Sequence, residues 1–290
     1  MPVNLLLICL AAITWGTTGT AMVLLSQTTP LNPLVVGFWR MALAAPWLLL
    51  IAGRDPDFWH WPRQRGTAQL GMGACIAAYQ VCYFCAVPLS GVAVTALVAI
   101  CSSPLIIALL AAWHLGERLT PKVYGAIALG ITGTILLVAR PEAIAANPRF
   151  FLGVMLSFGA AFGYAGYVVI AKVQVANQPP LTIAASGFTL AALFLLPTLA
   201  WQPPWQDWVK VLPWLLYLGI VTTAIAYGIY MIGLRHTSAT AAGVLVLLEP
   251  LTATLLGVFF FREPMSLTGV VGAILLLSAI ALLTLQSQPA

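Results

Sequence analysis

One acid stands alone in the apolar run from Ala239 to Phe261, and that acid is Glu249. Ten residues into a helix it is about 15 Å along the axis, near the middle of a bilayer. A carboxyl group at that depth costs at least about 2.5–3.5 kcal/mol to insert, so it belongs in a cavity or beside a partner. Its chemistry would be contact with a substrate amine or carriage of a proton. The alternative is a neutral structural acid, hydrogen-bonded between helices. Pro250 follows it and lacks an N–H, which is expected to free a carbonyl one turn earlier, near Val246, to line the cavity. Arg40 is the natural counter-charge, seven residues from Pro33 and about 10 Å from the opposite membrane surface. Either Arg40 and Glu249 form an intramembrane charge pair, or Arg40 snorkels outward.

Aromatic side chains form the second group. Tyr79 and Tyr83 are spaced i, i+4, while Tyr164/Tyr167 and Tyr227/Tyr230 are spaced i, i+3, so each pair shares one helix face. Tyr79 and Tyr227 are deep in their runs, where a phenol needs a hydrogen-bond partner and suits a cavity wall. With Trp15, Gln80 and Ser103 these residues would form a mostly apolar substrate-binding pocket with a few polar points. Such a wall suits amphipathic, zwitterionic molecules. For each residue taken singly, plain helix packing explains it as well.

The elements that must position these groups follow from composition. Of 290 residues 61% are hydrophobic and 7% charged. A soluble domain carries roughly 25% charge, so most of this surface must face lipid. Segmenting at Pro, Gly and charge clusters gives ten spans, near 3–25, 33–52, 66–87, 90–113, 122–139, 150–171, 181–199, 211–234, 239–261 and 266–285. The continuous apolar runs predict an all-α polytopic membrane protein and argue against a β-barrel, whose strands alternate. Met1-Pro2-Val3-Asn4 has no basic stretch, so the first span is expected to be a retained helix. The five cysteines all fall in spans. Cys82 and Cys85 are spaced as CxxC but lack a second ligand pair, so they read as small packing residues.

Charge in the loops sets orientation. With the N-terminus cytoplasmic, the inside loops hold seven Lys or Arg (Arg54, Arg63, Arg65, Arg118, Lys122, Lys172, Arg235) and the outside loops four (Arg140, Arg149, Lys210, Arg262). Both termini are expected in the cytoplasm. Trp59, His60 and Trp61 read as an interfacial anchor.

An internal repeat organises the chain. Ser103-Pro104-Leu105 and Glu117 recur as Glu249-Pro250-Leu251 and Glu263 at an offset of 146. Ala78-Tyr79 with Ser90 recurs as Ala226-Tyr227 with Ser238 at 148, and Trp15-Gly16 as Phe162-Gly163 at 147. The expected division is a first five-helix repeat over 1–140, a linker loop over 141–149 and a second repeat over 150–290. Five is odd, so the two units must cross the membrane in opposite senses, around a central cavity, as in many secondary transporters. The symmetry breaks where Ser103 is answered by Glu249. Gly159-xxx-Gly163, Ala126-xxx-Gly130 and Gly269-xxx-Ala273 are close-packing patterns. Glu117 and Glu263 are expected to cap the following helix or pair locally.

The paired Glu117 and Glu263 motifs, the Leu248-Glu249-Pro250-Leu251 stretch and Trp15-Gly16 resemble the drug/metabolite transporter superfamily, in its ten-helix form with two EamA domains. Within it, the chain is similar to bacterial exporters of amino acids, including the YddG-type aromatic amino-acid exporters. The resemblance implies a secondary transporter in the bacterial inner membrane that exports small metabolites, amino acids first, by alternating access. The open alternatives are a proton-coupled exporter of another substrate class, an intramembrane enzyme and a channel. No HExxH, GxSxG or P-loop occurs, so neither catalysis nor ATP hydrolysis is expected. The expected partners are a small-molecule substrate and the lipid bilayer, with no cofactor, metal or nucleic acid.

Overall fold

The computed structural model describes residues 2–30, 32–55, 58, 66–138, 149–202, 208–262 and 266–284. Ten apolar helical segments occur among them: α1 (Val3–Ser26), α2 (Pro33–Ala52), α3 (Gly66–Ser90), α4 (Val92–Leu115), α5 (Pro121–Val138), α6 (Phe150–Val175), α7 (Pro180–Trp201), α8 (Trp208–Arg235), α9 (Ala239–Phe260) and α10 (Leu267–Thr284). Eight meet the length and hydropathy needed to cross a bilayer, and α5 and α10 are shorter apolar helices. The chain is thus an all-α polytopic membrane protein. Large apolar side chains such as Trp113, Phe151, Phe259 and Leu267 project from the bundle, as they do where the solvent is lipid. The linker at 141–148, Glu263 and the Trp59–His60–Trp61 anchor lie outside the described residues.

Contacts between helices repeat with the halves exchanged. α3 packs on α6 and its counterpart α8 packs on α1; α4 on α6 is answered by α9 on α1, and α3 on α7 by α8 on α2. The remaining principal pairs, α2 with α7 and α5 with α10, join equivalent helices. Asn4, at the start of α1, donates through Nδ2 to the His236 carbonyl and the Thr237 hydroxyl, both at 3.0 Å. Lys172, at the end of α6, donates through Nζ to the carbonyls of Leu234 (2.9 Å) and Arg235 (3.1 Å) in the same turn. One helix begins and its equivalent ends at a single place, so α1 and α6 run in opposite directions.

Local chemistry explains the helix ends and breaks. Pro33 starts α2, where its missing N–H costs nothing, and Asn32 accepts the Leu34 N–H at 3.1 Å. α4 and α9 both end on a left-handed residue, Gly116 (φ 66°) and Arg262 (φ 53°). Each donates its N–H to the carbonyl five residues back, on Ala111 and Gly257, so the repeat is visible in backbone geometry. α1 breaks after Gly16, α9 turns at Val246–Leu247, and α8 carries a π-helical stretch at Tyr217–Ile225. Such irregular backbone within membrane-crossing segments survives only where protein or a cavity surrounds it.

Candidate functional site

Close helix packing brings the candidate residues together. Gly163 of α6 faces the α3 backbone: a Cβ there would come within 2.9 Å of the Tyr79 nitrogen and 3.0 Å of the Cys75 carbonyl. The Gly159-xxx-Gly163 pattern therefore seats α3 and α6 against each other and sets Tyr79 beside Tyr164, with ring centroids 5.8 Å apart. Gly16, at the break in α1, does the same for the other half. A Cβ there would meet the Glu249 carbonyl at 2.8 Å and Thr252 Cβ at 2.5 Å.

From these contacts a continuous aromatic wall forms. Tyr83 meets Tyr79 at 6.0 Å, Tyr164 meets Tyr167 at 5.8 Å, and Tyr167 meets Tyr227 at 6.0 Å. Trp15 then packs on Tyr227 (4.4 Å) and Tyr230 (5.3 Å), and Phe188 of α7 closes on Tyr227 at 4.5 Å. Two groups in or beside this wall, the Trp15 indole N–H and the Tyr167 hydroxyl, are buried without a protein partner. A buried polar group without a partner is costly, which makes each a point where a water or a polar solute is stabilised.

A cavity of about 50 Å³ adjoins the wall, lined by Tyr79, Tyr83, Ala99, Ile100, Ser103, Pro104, Tyr164, Gly243, Val246, Leu247 and Glu249. At roughly 10–15 Å³ of probe-occupied space per water this conformation admits a few waters. Of the residues expected to bind substrate, Tyr79, Tyr83, Ser103, Tyr164 and Glu249 line it. Trp15, Tyr227 and Tyr230 stand behind it in the aromatic wall. Gln80 does not join them: it turns toward α2, where a Cβ on Gly37 would lie 3.1 Å from its Nε2. The Ser103 hydroxyl donates to the Ala99 carbonyl in its own helix at 2.6 Å.

Three expectations are corrected in detail. The Val246 carbonyl, expected to be freed by Pro250, accepts the Glu249 N–H at 2.9 Å, because the chain tightens to an i→i+3 turn before the proline. Arg40 is buried and does not snorkel, yet it makes no ion pair with Glu249 among the described residues, and its Nε has no partner. Glu117 does not cap α5, whose first turn Thr120 serves by accepting the Val123 N–H at 3.4 Å. It reaches the other half and caps α9, accepting the N–H groups of Ala239 (2.6 Å) and Thr240 (3.1 Å) and the Thr240 hydroxyl (2.7 Å).

Ala99, Ile100, Gly243, Leu247 and Phe188 were not legible as site residues, since small and aliphatic side chains in a helix carry no signal of their own. A two-amide cluster, in which Gln69 Nε2 donates to Gln174 Oε1 and the Ser186 hydroxyl donates to Gln69 Oε1 at 2.8 Å, ties α3, α6 and α7 together away from the cavity. The described cysteines are all free, and Cys82 and Cys75 pack against the glycine face of α6.

Known proteins bear on this geometry. The EamA-like transporter family model matches residues 3–139 and 151–285. The chain is 33% identical, over 98% of its own length and 94% of the other's, to the uncharacterized transporter YwfM of Bacillus subtilis. It is 30% identical, over 64% of each chain, to the aromatic amino acid exporter YddG of Ancylobacter novellus. A solved crystal structure covering 98% of this chain and 97% of its own superposes with a TM-score of 0.84 at 25% identity.

Proposed function

Because the chain belongs to the EamA-like transporter family, we propose that it exports small amphipathic metabolites, amino acids first, by alternating access. One observation carries this reading. The mid-membrane cavity is walled by both halves at once, with tyrosines and Ser103 from the first facing Tyr164 and Glu249 from the second. The aromatic wall receives an apolar side chain, and the Glu249 carboxylate receives an ammonium group. The Trp15 indole N–H and the Tyr167 hydroxyl, which have no protein partner, offer hydrogen bonds to a carboxylate. The name of the YddG relative supports amino acids and the export direction. A cavity of about 50 Å³, room for a few waters, is too small for an aromatic amino acid, so such a substrate is taken up as the halves part. We assign the two repeats to 1–140 and 150–290, joined at 141–149, with both termini in the cytoplasm and the bilayer as the inner membrane. The loop charge and the repeat offsets support that assignment.

The test is flux from proteoliposomes loaded with a panel of amino acids, run with and without an imposed pH gradient. Saturable efflux of aromatic or aliphatic amino acids is the expected result. Absence of flux for every amino acid and small amphiphile would remove the substrate class. Efflux that ignores the pH gradient would show a facilitative carrier without proton coupling.

A further inference from the structure

Two nitrogen donors are buried where α2 meets α3, next to the cavity but outside its lining. Arg40 is 8% exposed and Gln80 is 3% exposed, and neither Arg40 Nε nor Gln80 Nε2 has a hydrogen-bond partner. Gly37 brings them together. It stands one turn before Arg40 on α2, and without a side chain of its own it leaves room for Gln80, whose Nε2 would be 3.1 Å from a Cβ there. Helical side chains lean toward the N-terminal end of their helix, so the Arg40 stem reaches back over Gly37 toward that amide. Phe38, Met41 and Ala77, which flank the two donors in sequence, belong to the same apolar cluster as Trp15 and Tyr167. The pair therefore borders the aromatic wall, and Gln80 itself is adjacent to the cavity-lining Tyr79.

Both groups have hydrogen to donate and nothing placed to accept it. A guanidinium stays protonated, so Arg40 cannot shed its charge as a buried carboxyl can. Glu249 balances that charge without touching it, since no contact ion pair joins the two among the described residues. Their depths are close all the same. α2 and α9 start on opposite faces of the bundle. Helical rise then puts Arg40 about 10 Å below one face and Glu249 about 15 Å below the other, in a core of roughly 30 Å. A ligand carrying both signs of charge can bridge that gap, whereas an amine or an inorganic anion answers only one side of it. Resting on the amino-acid reading above, we propose that Arg40 and Gln80 form a carboxylate subsite that selects cargo bearing a free carboxylate. The guanidinium gives the carboxylate a charge-assisted hydrogen bond and Gln80 Nε2 a neutral one, while Glu249 takes the ammonium. Arg40 is thereby the residue that favours amino acids over amphiphilic amines.

Calorimetric titration of the full-length protein in detergent tests this, with phenylalanine and leucine each compared with its decarboxylated amine, phenethylamine or isoamylamine. Each amine keeps the side chain and the ammonium and lacks only the carboxylate. The amino acid of a pair is expected to bind about tenfold more tightly than its amine. Arg40→Gln should erase that preference, and Gln80→Leu should cut it to about threefold. The comparison on the unmodified protein stands even where Arg40→Gln fails to fold. Equal affinity for amino acid and amine, in a protein that effluxes amino acids from proteoliposomes, would overturn the subsite and leave the transport reading in place. So would an amino-acid affinity that responds to exchange of chloride for gluconate and not to Gln80→Leu, because that would make the pair an inorganic-anion site. Absence of flux for every amino acid would instead remove the reading on which the subsite rests.

Discussion

Glu117 Oε1 accepts the backbone N–H of Ala239 at 2.6 Å, from the α4–α5 loop of the first repeat to the start of a broken helix in the second. A carboxylate at a helix N-terminus satisfies orphan donors and meets the positive end of the helix dipole. Lys172 holds the α8 carbonyls on the other side of the same turn, and Asn4 grips the turn itself. Three side chains from α1, α6 and the α4–α5 loop therefore converge on the α8–α9 connection and close this face of the bundle.

Glu117→Ala removes all three bonds at once. Loss of a cap costs about 0.5–2 kcal/mol, and the released turn should also part the halves on this face more readily. The expected outcome is a lower unfolding temperature in detergent. A single cysteine at Leu247→Cys, in a cysteine-free background, should also be labelled faster. An unchanged labelling rate would mean that the turn does not hold the cavity closed.

Glu249→Gln keeps the shape of the cavity and removes its charge. If the carboxylate receives the substrate ammonium, KM for amino acids should rise about tenfold, while flux of an uncharged analogue should stay within about twofold. If it carries a proton, the response of flux to a pH gradient should vanish. Normal amino-acid KM together with a normal pH-gradient response would leave Glu249 a purely structural acid.

Gly163→Val places two methyl groups where the α3 backbone stands, with its Cβ already within about 3 Å of Tyr79 and Cys75. Overpacking of this kind typically costs about 1–3 kcal/mol, and here it would also move Tyr79 away from Tyr164. A fall in thermal stability with loss of transport is expected. Gly159→Ala, facing the Cys82 sulfur at 3.2 Å, should be milder on both measures. Equal effects would argue against the α3–α6 seat as the feature that positions the tyrosines.

Arg262 occupies the left-handed position that glycine fills at Gly116. A residue with a Cβ is strained there by roughly 1–2 kcal/mol, so Arg262→Gly should raise the unfolding temperature without changing transport. A fall in stability would mean that the guanidinium contributes more than the strain removes.

Apolar runs, loop charge and the offset of 146 residues determined the ten helices, their pairing into two halves and the inversion that an odd helix count requires. Those properties are local or periodic, and lipid demands them of each segment separately. The positions of Glu249, Tyr79 and Tyr227 along their helices were readable for the same reason, since helical rise converts position into distance. Azimuth and partner were not. Tyr79 and Gln80 are adjacent in sequence, yet one lines the cavity and the other turns to α2, because the glycine face of α6 fixes how α3 is rotated. Glu117 carries the same capping chemistry whichever helix is near. Only the packing of one half against the other decided that it serves Ala239, and that Arg40 is buried without forming a contact ion pair with Glu249 among the described residues.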